Sequence, residues 1–431
     1  MSDFQFRQIE ESSIKVIDGD RGVNYPSKSE LLTRGYCVFL NTGNVTKTGF
    51  DFAKVEFITQ EKDNLLKKGK TSENDIILTT RGTVGNVAII DKDIENKCIR
   101  INSGMVIIRT DPIEFIPYYL YLFFRSDLFK KQCLTKGSGS AQPQLPISAL
   151  KYVSIPYWPI HVQNNIVVIL SVLDAKIELN SRINTELEAM AKTLYDYWFV
   201  QFDFPDANGK PYKTDSGKMV YNPSLKRDIP EGWKWKEVSK LVEVRDGTHD
   251  SPKKAETGQY LITSKHLKKF GIYFSDAYLI SEEDFIAVNK RSKVDEGDFL
   301  LSMIGTVGLT NWVMKITTPF AIKNIGLFKT SQSPEWSNYI YAAVNSVIGR
   351  AYLKQHLSTG TSQPYVTLGT LRSIPIVIPS DDVFKMFNQQ IRPIHNAIYN
   401  KTTENQELVK LRDWLLPMLM NGQVTVKNNE G

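Results

Sequence analysis

Cysteine is scarce in this chain. Cys37, Cys98 and Cys133 are the only three among 431 residues. An odd number at wide spacing argues against a disulfide framework and a cysteine-type zinc site, and is typical of a reducing compartment. Long apolar runs are also missing: none reaches membrane-spanning length, and residues 1–5 lack the basic-then-apolar pattern of a signal peptide. We therefore expect a soluble cytoplasmic protein without membrane association.

Catalytic and cofactor-binding motifs are missing as well. The segment nearest to the Asn/Asp-Pro-Pro-aromatic motif of amino-methyltransferases, residues 222–225, lacks the second proline and the aromatic residue. No Gly-x-Gly-x-x-Gly follows a strand-like run, no Walker-type loop occurs, and the five histidines have no metal-ligand spacing. We therefore predict a non-catalytic chain that holds no cofactor and no metal.

What the chain does contain is an internal repeat. Residues 82–85 and 305–308 both read Gly-Thr-Val-Gly, and each follows a short apolar run and precedes another. Residues 139–143 are echoed by residues 360–364 at an offset of 221. An aromatic-rich helical stretch precedes each of these loops, and a strand-like run follows it. Because the elements recur in the same order, the pattern predicts two copies of one α/β globular unit.

Each copy is followed by a long helical pattern. Apolar residues recur at coiled-coil spacing over 166–194, and the same offset of 221 gives a matching run over 387–415. Two such stripes predict a pair of antiparallel helices. We expect Pro393 to kink the second helix or to delay its start. Asn180 and Asn184 interrupt the first stripe, and this polar layer either fixes the register or faces solvent.

The repeat and the helical patterns divide the chain into five segments. The segment between the first helix and the second copy is rich in Pro, Gly, Asp, Asn and Lys without an apolar period, which is typical of an extended linker. The predicted segments are the first globular unit (1–158), a central long helix (159–203), the linker (204–232), the second globular unit (233–380), and a C-terminal long helix with a tail (381–431).

The net charge of +6 is distributed unevenly. Residues 128–173 contain no acid, and residues 299–380 contain only Glu335. Neutralisation of phosphates dominates nucleic-acid affinity, so acid-poor windows at matching places in two copies favour a polyanion-binding surface. A buried, strand-rich stretch would also carry few charges, and that alternative stays open.

Loops and turns in or near these windows supply candidate DNA contacts. Hydroxyls and backbone amides suit phosphate oxygens, and glutamine can pair with an adenine edge, although an ordinary surface loop has the same composition. In the Gly-Thr-Val-Gly turns, the glycines are expected to serve positive φ angles. The candidates are Lys136, Ser138, Ser140, Gln142, Thr359, Thr361 and Gln363 in the loops before and within the two Gln-Pro segments, Arg81, Thr83 and Thr306 beside or within the turns, and His249 and His266 in polar loops.

Together these features resemble the specificity subunits of Type I restriction–modification systems, over essentially the whole chain. The resemblance rests on the repeat of a globular unit and a long helix, and on several strings in a fixed order. The strings are 194–199 running into 202–205, then 209–212, 217–220, 229–233, and 411–417 with 421–422. Loops similar to those of the family add Asn44, Lys265 and Arg21 to the candidates, although 18–21 and 264–267 depart from the family pattern.

The resemblance implies a fold and a set of partners. It implies two globular α/β target recognition domains in tandem, separated and followed by long helices that form an antiparallel coiled-coil-like pair with pseudo-two-fold symmetry. Each domain would read one half of a bipartite asymmetric site in double-stranded DNA. The helices would set the spacer and dock two modification (methyltransferase) subunits. S-adenosylmethionine, ATP and Mg would bind to these partners, which are the modification subunits and the restriction (translocase/endonuclease) subunits.

Two other functions compete with this interpretation. One is a self-contained DNA methyltransferase or nuclease, against which the missing motifs argue. The other is a helical protein–protein adaptor whose globular units never touch nucleic acid. Retention of DNA that does not weaken as salt rises would argue against phosphate contacts.

Overall fold

The chain divides into two compact units. The computed structural model describes residues 5–46, 49–96, 98–136, 144–274, 276–358 and 363–424. Unit 1 comprises Met1–Lys176 together with Glu407–Gly431, and unit 2 comprises Ile177–Gln406. The domain boundaries expected from the sequence stay a prediction, because these units cut across the long helices.

Unit 1 combines small β-sheets with helices. Its strands are β1 (Gln5–Gln8), β2 (Lys15–Asp18), β3 (Cys37–Leu40), β4 (Val45–Thr46), β5 (Gly49–Phe50), β6 (Glu56–Ile58), β7 (Ile76–Thr79), β8 (Val87–Ile89), β9 (Ile99–Ile101), β10 (Met105–Arg109) and β11 (Ser154–Tyr157). Its helices are α1 (Gln60–Leu65), α2 (Pro117–Arg125), α3 (Asp127–Lys136), α4 (Ile147–Leu150) and the start of α5 (Ile160–Tyr195). One sheet has the order β2-β10-β7-β8 and another the order β6-β3-β9, with β3 and β9 parallel.

The continuous apolar run of β7 is explained by burial on both faces. Ile76 and Leu78 belong to the core that contains the aromatic residues of α2. The intervening Ile77 belongs to a second core, together with Val38 of β3 and Ile101 of β9. Successive side chains of a strand point to opposite faces, so a strand covered on both faces must be apolar throughout.

Unit 2 repeats this plan. Its strands are β12 (Met219–Asn222), β13 (Arg227–Pro230), β14 (Lys234–Glu237), β15 (Val244–Asp246), β16 (Gln259–Thr263), β17 (Leu267–Lys268), β18 (Gly271–Ile272), β19 (Tyr278–Ile280), β20 (Asp298–Ser302), β21 (Thr310–Val313), β22 (Phe320–Lys323), β23 (Ile325–Phe328) and β24 (Pro375–Ile378), and its helices are α6 (Glu282–Ser292), α7 (Pro334–Asn345), α8 (Val347–Gln355), α9 (Leu368–Arg372) and the first part of α10 (Asp381–Met420). The orders β15-β23-β20-β21 and β19-β16-β22 match those of unit 1, again with one parallel pair, β16 and β22. The prediction of two tandem α/β units is therefore confirmed.

Both units bury one carboxylate at the start of a central strand. Asp75 precedes β7 and is 1% exposed; it accepts hydrogen bonds from Arg109, with Nε of Arg109 2.7 Å from Oδ1. Asp298 begins β20 and is 0% exposed; Nζ of Lys329 donates to its Oδ2 at 2.5 Å. A buried charge requires such a partner. The repeat thus extends to an ion pair, with arginine in one copy and lysine in the other.

Helices α5 and α10 run antiparallel within each unit. In unit 1 the start of α5 packs against the end of α10, where Ile166 and Leu170 share a core with Leu416 and Leu419. In unit 2 the end of α5 packs against the start of α10, where the rings of Tyr195 and Phe387 are 5.9 Å apart. The predicted helical pair is confirmed in both units. A π-helical turn over Asp196–Val200 follows α5.

The polar layer of the helical pair is buried. Asn180 and Asn184 are both 0% exposed. Nδ2 of Asn180 donates to Oδ1 of Asn405 at 2.9 Å and to Oε2 of Glu404 at 3.0 Å, and Nδ2 of Asn184 donates to Thr402 at 3.1 Å. Of the two alternatives left open by the sequence, the structure supports a layer that pairs between helices and fixes their register.

Replacing Asn180 by alanine should destabilise unit 2. The substitution removes the donor shared by Asn405 and Glu404 at a buried position, so we expect a loss of about 1–3 kcal/mol. Thermal denaturation and hydrogen exchange of peptides from unit 2 would measure it. Asn400→Ala, at an exposed position of α10, is the matched control. Equal stability of the two variants would show that the layer contributes nothing.

Two expectations about the helices and the linker need correction. Helix α10 begins at Asp381 and continues through Pro393, so the delayed start is wrong, while the alternative of a kink stays a prediction. The linker is not simply extended, because β12 and β13 form an antiparallel hairpin. The ring of Phe204 stacks at 4.7 Å on Tyr212 and at 4.8 Å on Trp233. Aromatic stacking thus orders a segment in which no apolar period is visible.

The expectation about cysteine also needs correction. Cys37 and Cys98 form a disulfide, with their Cα atoms 4.7 Å apart and a sequence separation of 61. Because they lie at the beginning of two neighbouring parallel strands, sequence spacing could not reveal their proximity. Cys133 lies outside this bond.

Candidate nucleic-acid interface

Turns that follow the central strands of unit 1 meet at one edge, which we call the first rim: residues 18–21, 41–44, 80–85, 102–104 and Gln144. Hydrogen bonds connect them. Asn102 N donates to Leu40 O at 3.0 Å, Arg81 N donates to Gly104 O at 3.2 Å, and Oγ1 of Thr83 donates to Thr42 O at 3.1 Å. Arg81 also forms a β-bridge with Gln144. These contacts hold the side chains of the turns side by side.

Unit 2 contains the corresponding second rim: residues 246–249, 263–266, 304–308, 322–324 and 363–365. Thr248 N donates to Ile322 O at 3.0 Å, and Oγ of Ser264 donates to Asn324 O at 2.9 Å. Gly305 N donates to Pro364 O at 3.0 Å, which joins the Gly-Thr-Val-Gly turn to the segment that begins with Gln363. The two rims are therefore built from equivalent turns.

Glycines shape both rims. A Cβ on Gly19 would lie 2.3 Å from Asn102 O, and a Cβ on Gly247 would lie 2.4 Å from Ile322 O. The Asp-Gly pair is therefore required by close backbone approach in each copy. In the Gly-Thr-Val-Gly turns all four glycines have positive φ, from 69° at Gly82 to 91° at Gly308. The expectation of positive φ angles is confirmed.

Arg21 and His249 occupy equivalent positions. Nε of Arg21 lies 2.9 Å from Oδ2 of Asp18, and its Nη2 donates to Ser103 O at 3.2 Å. Nε2 of His249 lies 2.9 Å from Oδ2 of Asp246, and its Nδ1 lies 3.0 Å from Oδ1 of Asn324. In each copy an aspartate three residues earlier orients an exposed side chain. Both residues were proposed from the sequence, and in both the contact with an aspartate holds a side chain that is exposed to solvent.

Asn44 and His266 are also equivalent, but they are buried. Asn44 is 4% exposed, and its Oδ1 accepts from Asn41 N at 2.9 Å. His266 is 2% exposed, its Nδ1 accepts from Thr263 N at 2.8 Å, and burial lowers its pKa. Each side chain caps a short 3₁₀ turn. The sequence-based expectation that His266 lies in a solvated loop does not hold for this geometry.

The other candidates fall into two groups. Exposed rim residues are Arg81, Thr83, Lys265, Thr306 and Gln363. Ser138, Ser140, Gln142, Thr359 and Thr361 lie outside the described residues, as does the side chain of Lys136. Whether any of these residues contacts DNA stays a prediction.

Comparison with known proteins decides the family. The family model described as "Type I restriction modification DNA specificity domain" matches residues 1–189 and 230–411. The chain belongs to this family. It is similar to the Type I restriction enzyme MjaIX specificity subunit of Methanocaldococcus jannaschii (27% identity over 362 residues, 82% of this chain and 78% of that protein). It is also similar to the HindI specificity subunit of Haemophilus influenzae (24% identity over 464 residues, 94% and 98%).

Membership of the specificity family bears on catalysis. Specificity subunits are the non-catalytic components of restriction–modification complexes, which confirms the prediction that this chain is not an enzyme. The S subunit from M. genitalium matches with a TM-score of 0.49 and 14% identity, covering 97% of this chain and 96% of that one. Within the described residues, no helix is long and apolar enough to cross a membrane.

Sequence reasoning missed several rim residues of this specificity-family member. Ser103 and Asn324 hold Arg21 and His249, and Lys323 donates to Oγ of Ser251 beside the second rim. Ser103 and Asn324 stand 221 residues apart. The repeat offset alone could therefore have identified this pair, although neither lies in a recognisable motif.

The acid-poor windows are only partly surface features. In residues 299–380, Lys329 is buried, Arg350 donates to Gly308 O, and Nε of Arg372 donates to Val244 O at 3.0 Å. These cations stabilise the fold and are engaged with protein acceptors. The alternative explanation, that a buried strand-rich stretch carries few charges, therefore accounts for part of the pattern.

Among the described residues, one group combines three side chains of metal-binding type: Cys37, Asp63 and Cys98. The sulfurs are joined as a disulfide. Asp63 accepts from Nε of Arg100 at 2.5 Å and from Nζ of Lys70 at 2.6 Å, and these hydrogen bonds outweigh burial, so its pKa is lowered. While the two sulfurs are joined as a disulfide and the carboxylate is paired with Arg100 and Lys70, this group does not fit a metal ion.

Proposed function

We propose that this chain is the sequence-reading subunit of a Type I restriction–modification complex, and that each rim reads one half of a bipartite asymmetric site in double-stranded DNA. The observation that carries the proposal is the pair of rims. Both rims are built from equivalent turns, and each has a side chain that an aspartate holds in place. The residues at equivalent positions nevertheless differ: Arg21 in the first rim corresponds to His249 in the second, and Arg81 corresponds to Ile304. A shared scaffold with different exposed side chains suits two half-sites of different sequence.

The proposal extends to the helical pair and to partner subunits. The buried polar layer supports a fixed register of α5 against α10, which a spacer between half-sites would need. We propose that the helices dock two methyltransferase subunits, with restriction subunits completing the complex. S-adenosylmethionine, ATP and Mg²⁺ would bind to those partners. The relatives bear the name of restriction-enzyme specificity subunits, which supports this assembly; we propose the cytoplasm as its location.

Arg21→Ala and His249→Ala should each impair one half-site only. The chain is co-purified with its methyltransferase subunits, the target is read from the methylome of cells that express the complex, and binding is measured on duplexes altered in one half-site. Loss of a good base contact costs about 1–3 kcal/mol, or roughly 5- to 150-fold in affinity. Arg21→Ala should therefore remove discrimination in the first half-site, and His249→Ala in the second.

Two controls sharpen this experiment. Arg34→Ala and His161→Ala replace exposed residues outside the rims, and both should leave affinity unchanged. Affinity should also fall as salt rises, because phosphate contacts release counterions. A uniform loss on all sequences would reduce Arg21 and His249 to backbone contacts. Binding that is insensitive to salt and to both rim substitutions would contradict the proposed function and favour a protein adaptor.

A further inference from the structure

The Cys37–Cys98 bond joins the two strands that lead into the first rim. Cys37 is the first residue of β3, and Cys98 directly precedes β9. The strands run parallel, so both continue in the same direction from the bond. At their far ends Asn102 N donates to Leu40 O at 3.0 Å, and the rim turns 41–44 and 102–104 begin there.

The same strands occur in unit 2 without a covalent bond. β16 and β22 pair in parallel with Tyr260 opposite Phe320. The residues that precede this pair are Gln259 and Pro319, at the places of Cys37 and Cys98. Unit 2 forms this parallel pair without a bond, so this strand pairing does not require a disulfide. The bond can therefore open while the strands stay paired.

The surroundings favour exchange at one sulfur. Cys37 is fully buried, whereas Cys98 is partly exposed. In thiol–disulfide exchange, the reagent must be able to reach the sulfur atom with which it reacts. An external thiol or disulfide therefore reaches Cys98 before Cys37. Disulfides in reducing compartments are usually transient or redox-sensing. A restriction–modification subunit works where cellular DNA is, which is such a compartment.

We propose that Cys37 and Cys98 are a reversible thiol–disulfide site that controls the mobility of the first rim. The oxidant is a low-molecular-weight disulfide. Its sulfur forms a mixed disulfide with the thiolate of Cys98 and releases one thiol; the thiolate of Cys37 then attacks Sγ of Cys98 and releases the second. Two protein thiols lose two protons and two electrons, and the small disulfide becomes two thiols. Reduction runs the same steps in reverse.

The consequence is confined to unit 1. The bond restrains the strands whose far ends hold the turns of Thr42 and Ser103, which in turn accept from Thr83 and Arg21. Opening the bond should raise hydrogen exchange in peptides that cover 37–46 and 98–109. The equivalent peptides of unit 2 should not change. Its effect on DNA rests on the proposed function: reduction should change affinity through the first half-site by about 2- to 10-fold, the range of a modest coupling free energy.

The experiment uses the full chain in complex with its methyltransferase subunits. The complex is equilibrated with oxidised or reduced glutathione, and thiols are alkylated and mapped by mass spectrometry. We expect Cys37 and Cys98 to be protected from alkylation together under oxidation and to be alkylated together under reduction. Hydrogen exchange should change between the two buffers in unit 1 only. In both buffers, Cys98→Ser should show the hydrogen exchange of the reduced protein. Cys133→Ser should show the same response to the buffers as the parent.

The outcomes separate this inference from the proposed function. If the pair stays oxidised under reduced glutathione, or cycles without any change of exchange in unit 1, the redox site is overturned whatever the DNA result. If exchange responds while Arg21→Ala and His249→Ala leave DNA recognition intact, the redox site stands and the proposed function fails. If Cys98→Ser does not fold, the parent complex in the two buffers still decides.

Discussion

Lys329→Met should destabilise unit 2 by about 3–5 kcal/mol, because it leaves the carboxylate of Asp298 buried without its cation. Both side chains are almost fully buried, at 2% and 0% exposure. Nζ of Lys329 also donates to Asp295 at 2.7 Å and to Lys293 O at 3.2 Å. Methionine retains the apolar stem of lysine and fills similar space, so the loss reports on the charge.

Three comparisons test this expectation. Lys315→Met, at an exposed position of the same acid-poor window, should change the thermal midpoint little. Lys329→Arg copies the partner that unit 1 uses for Asp75 and should retain more stability than Lys329→Met. Stability is measured by thermal denaturation and by hydrogen exchange of β20 peptides. If Lys329→Met and Lys315→Met unfold alike, the buried ion pair is not a determinant of the fold.

Acidification should destabilise unit 2 through His395. Burial lowers its pKa to about 3 from 6.5, and Nδ1 donates at 2.8 Å to Oδ1 of Asn338 in the tautomer that this pairing requires. Between these values the unfolded chain binds a proton and the folded chain does not. Stability is therefore fully present above pH 6.5 and falls by about 1.4 kcal/mol per pH unit below it, or about 3 kcal/mol at pH 4.5.

His395→Gln removes this titration and can still donate to Asn338. Its stability should decline less steeply than that of the parent between pH 6.5 and pH 4.5, by about the same 1.4 kcal/mol per pH unit. Trp312 and Tyr341 pack around His395; burial raises the pKa of Tyr341 to about 12, so this tyrosine does not titrate in the window. His161→Gln, at an exposed position, is the control. Parallel curves for parent and His395→Gln would contradict the expectation.

The repeat made much of the fold predictable. An offset of 221 residues relates the Gln-Pro segments and the long helices, and one of 223 relates the Gly-Thr-Val-Gly turns, since equal patterns fold into equal elements. It could not show which polar residues would be buried. In the sequence, Asn44 and His266 cannot be told apart from exposed rim residues. In the structure, each has a buried side chain that caps a 3₁₀ turn. Burial depends on contacts with Thr263 or with the carbonyls of Asp51 and Lys54, which tertiary packing brings close.

Long-range pairs were also beyond sequence reasoning. The proximity of Cys37 and Cys98 follows from strand order, because a parallel pair joins segments that are distant along the chain. His249 was proposed because it stands in a polar loop, and Arg21 because its loop is similar to one of the family. Their partners Ser103 and Asn324 carry no motif; the repeat offset relates these two residues to each other, but only the three-dimensional structure shows that they contact Arg21 and His249.

Unit 1 is assembled from two segments that are far apart along the chain, and this has a consequence for synthesis. Leu416, Leu419 and Met420 complete the same core as Ile155 and Leu170, and Trp158 Nε1 donates to Met420 O at 3.1 Å. A ribosome delivers every residue of unit 2 before it delivers 407–420, since translation proceeds from the N-terminus. The core of unit 1 therefore stays incomplete while all of unit 2 is being made, and it can close only when residues 407–420 have been synthesised.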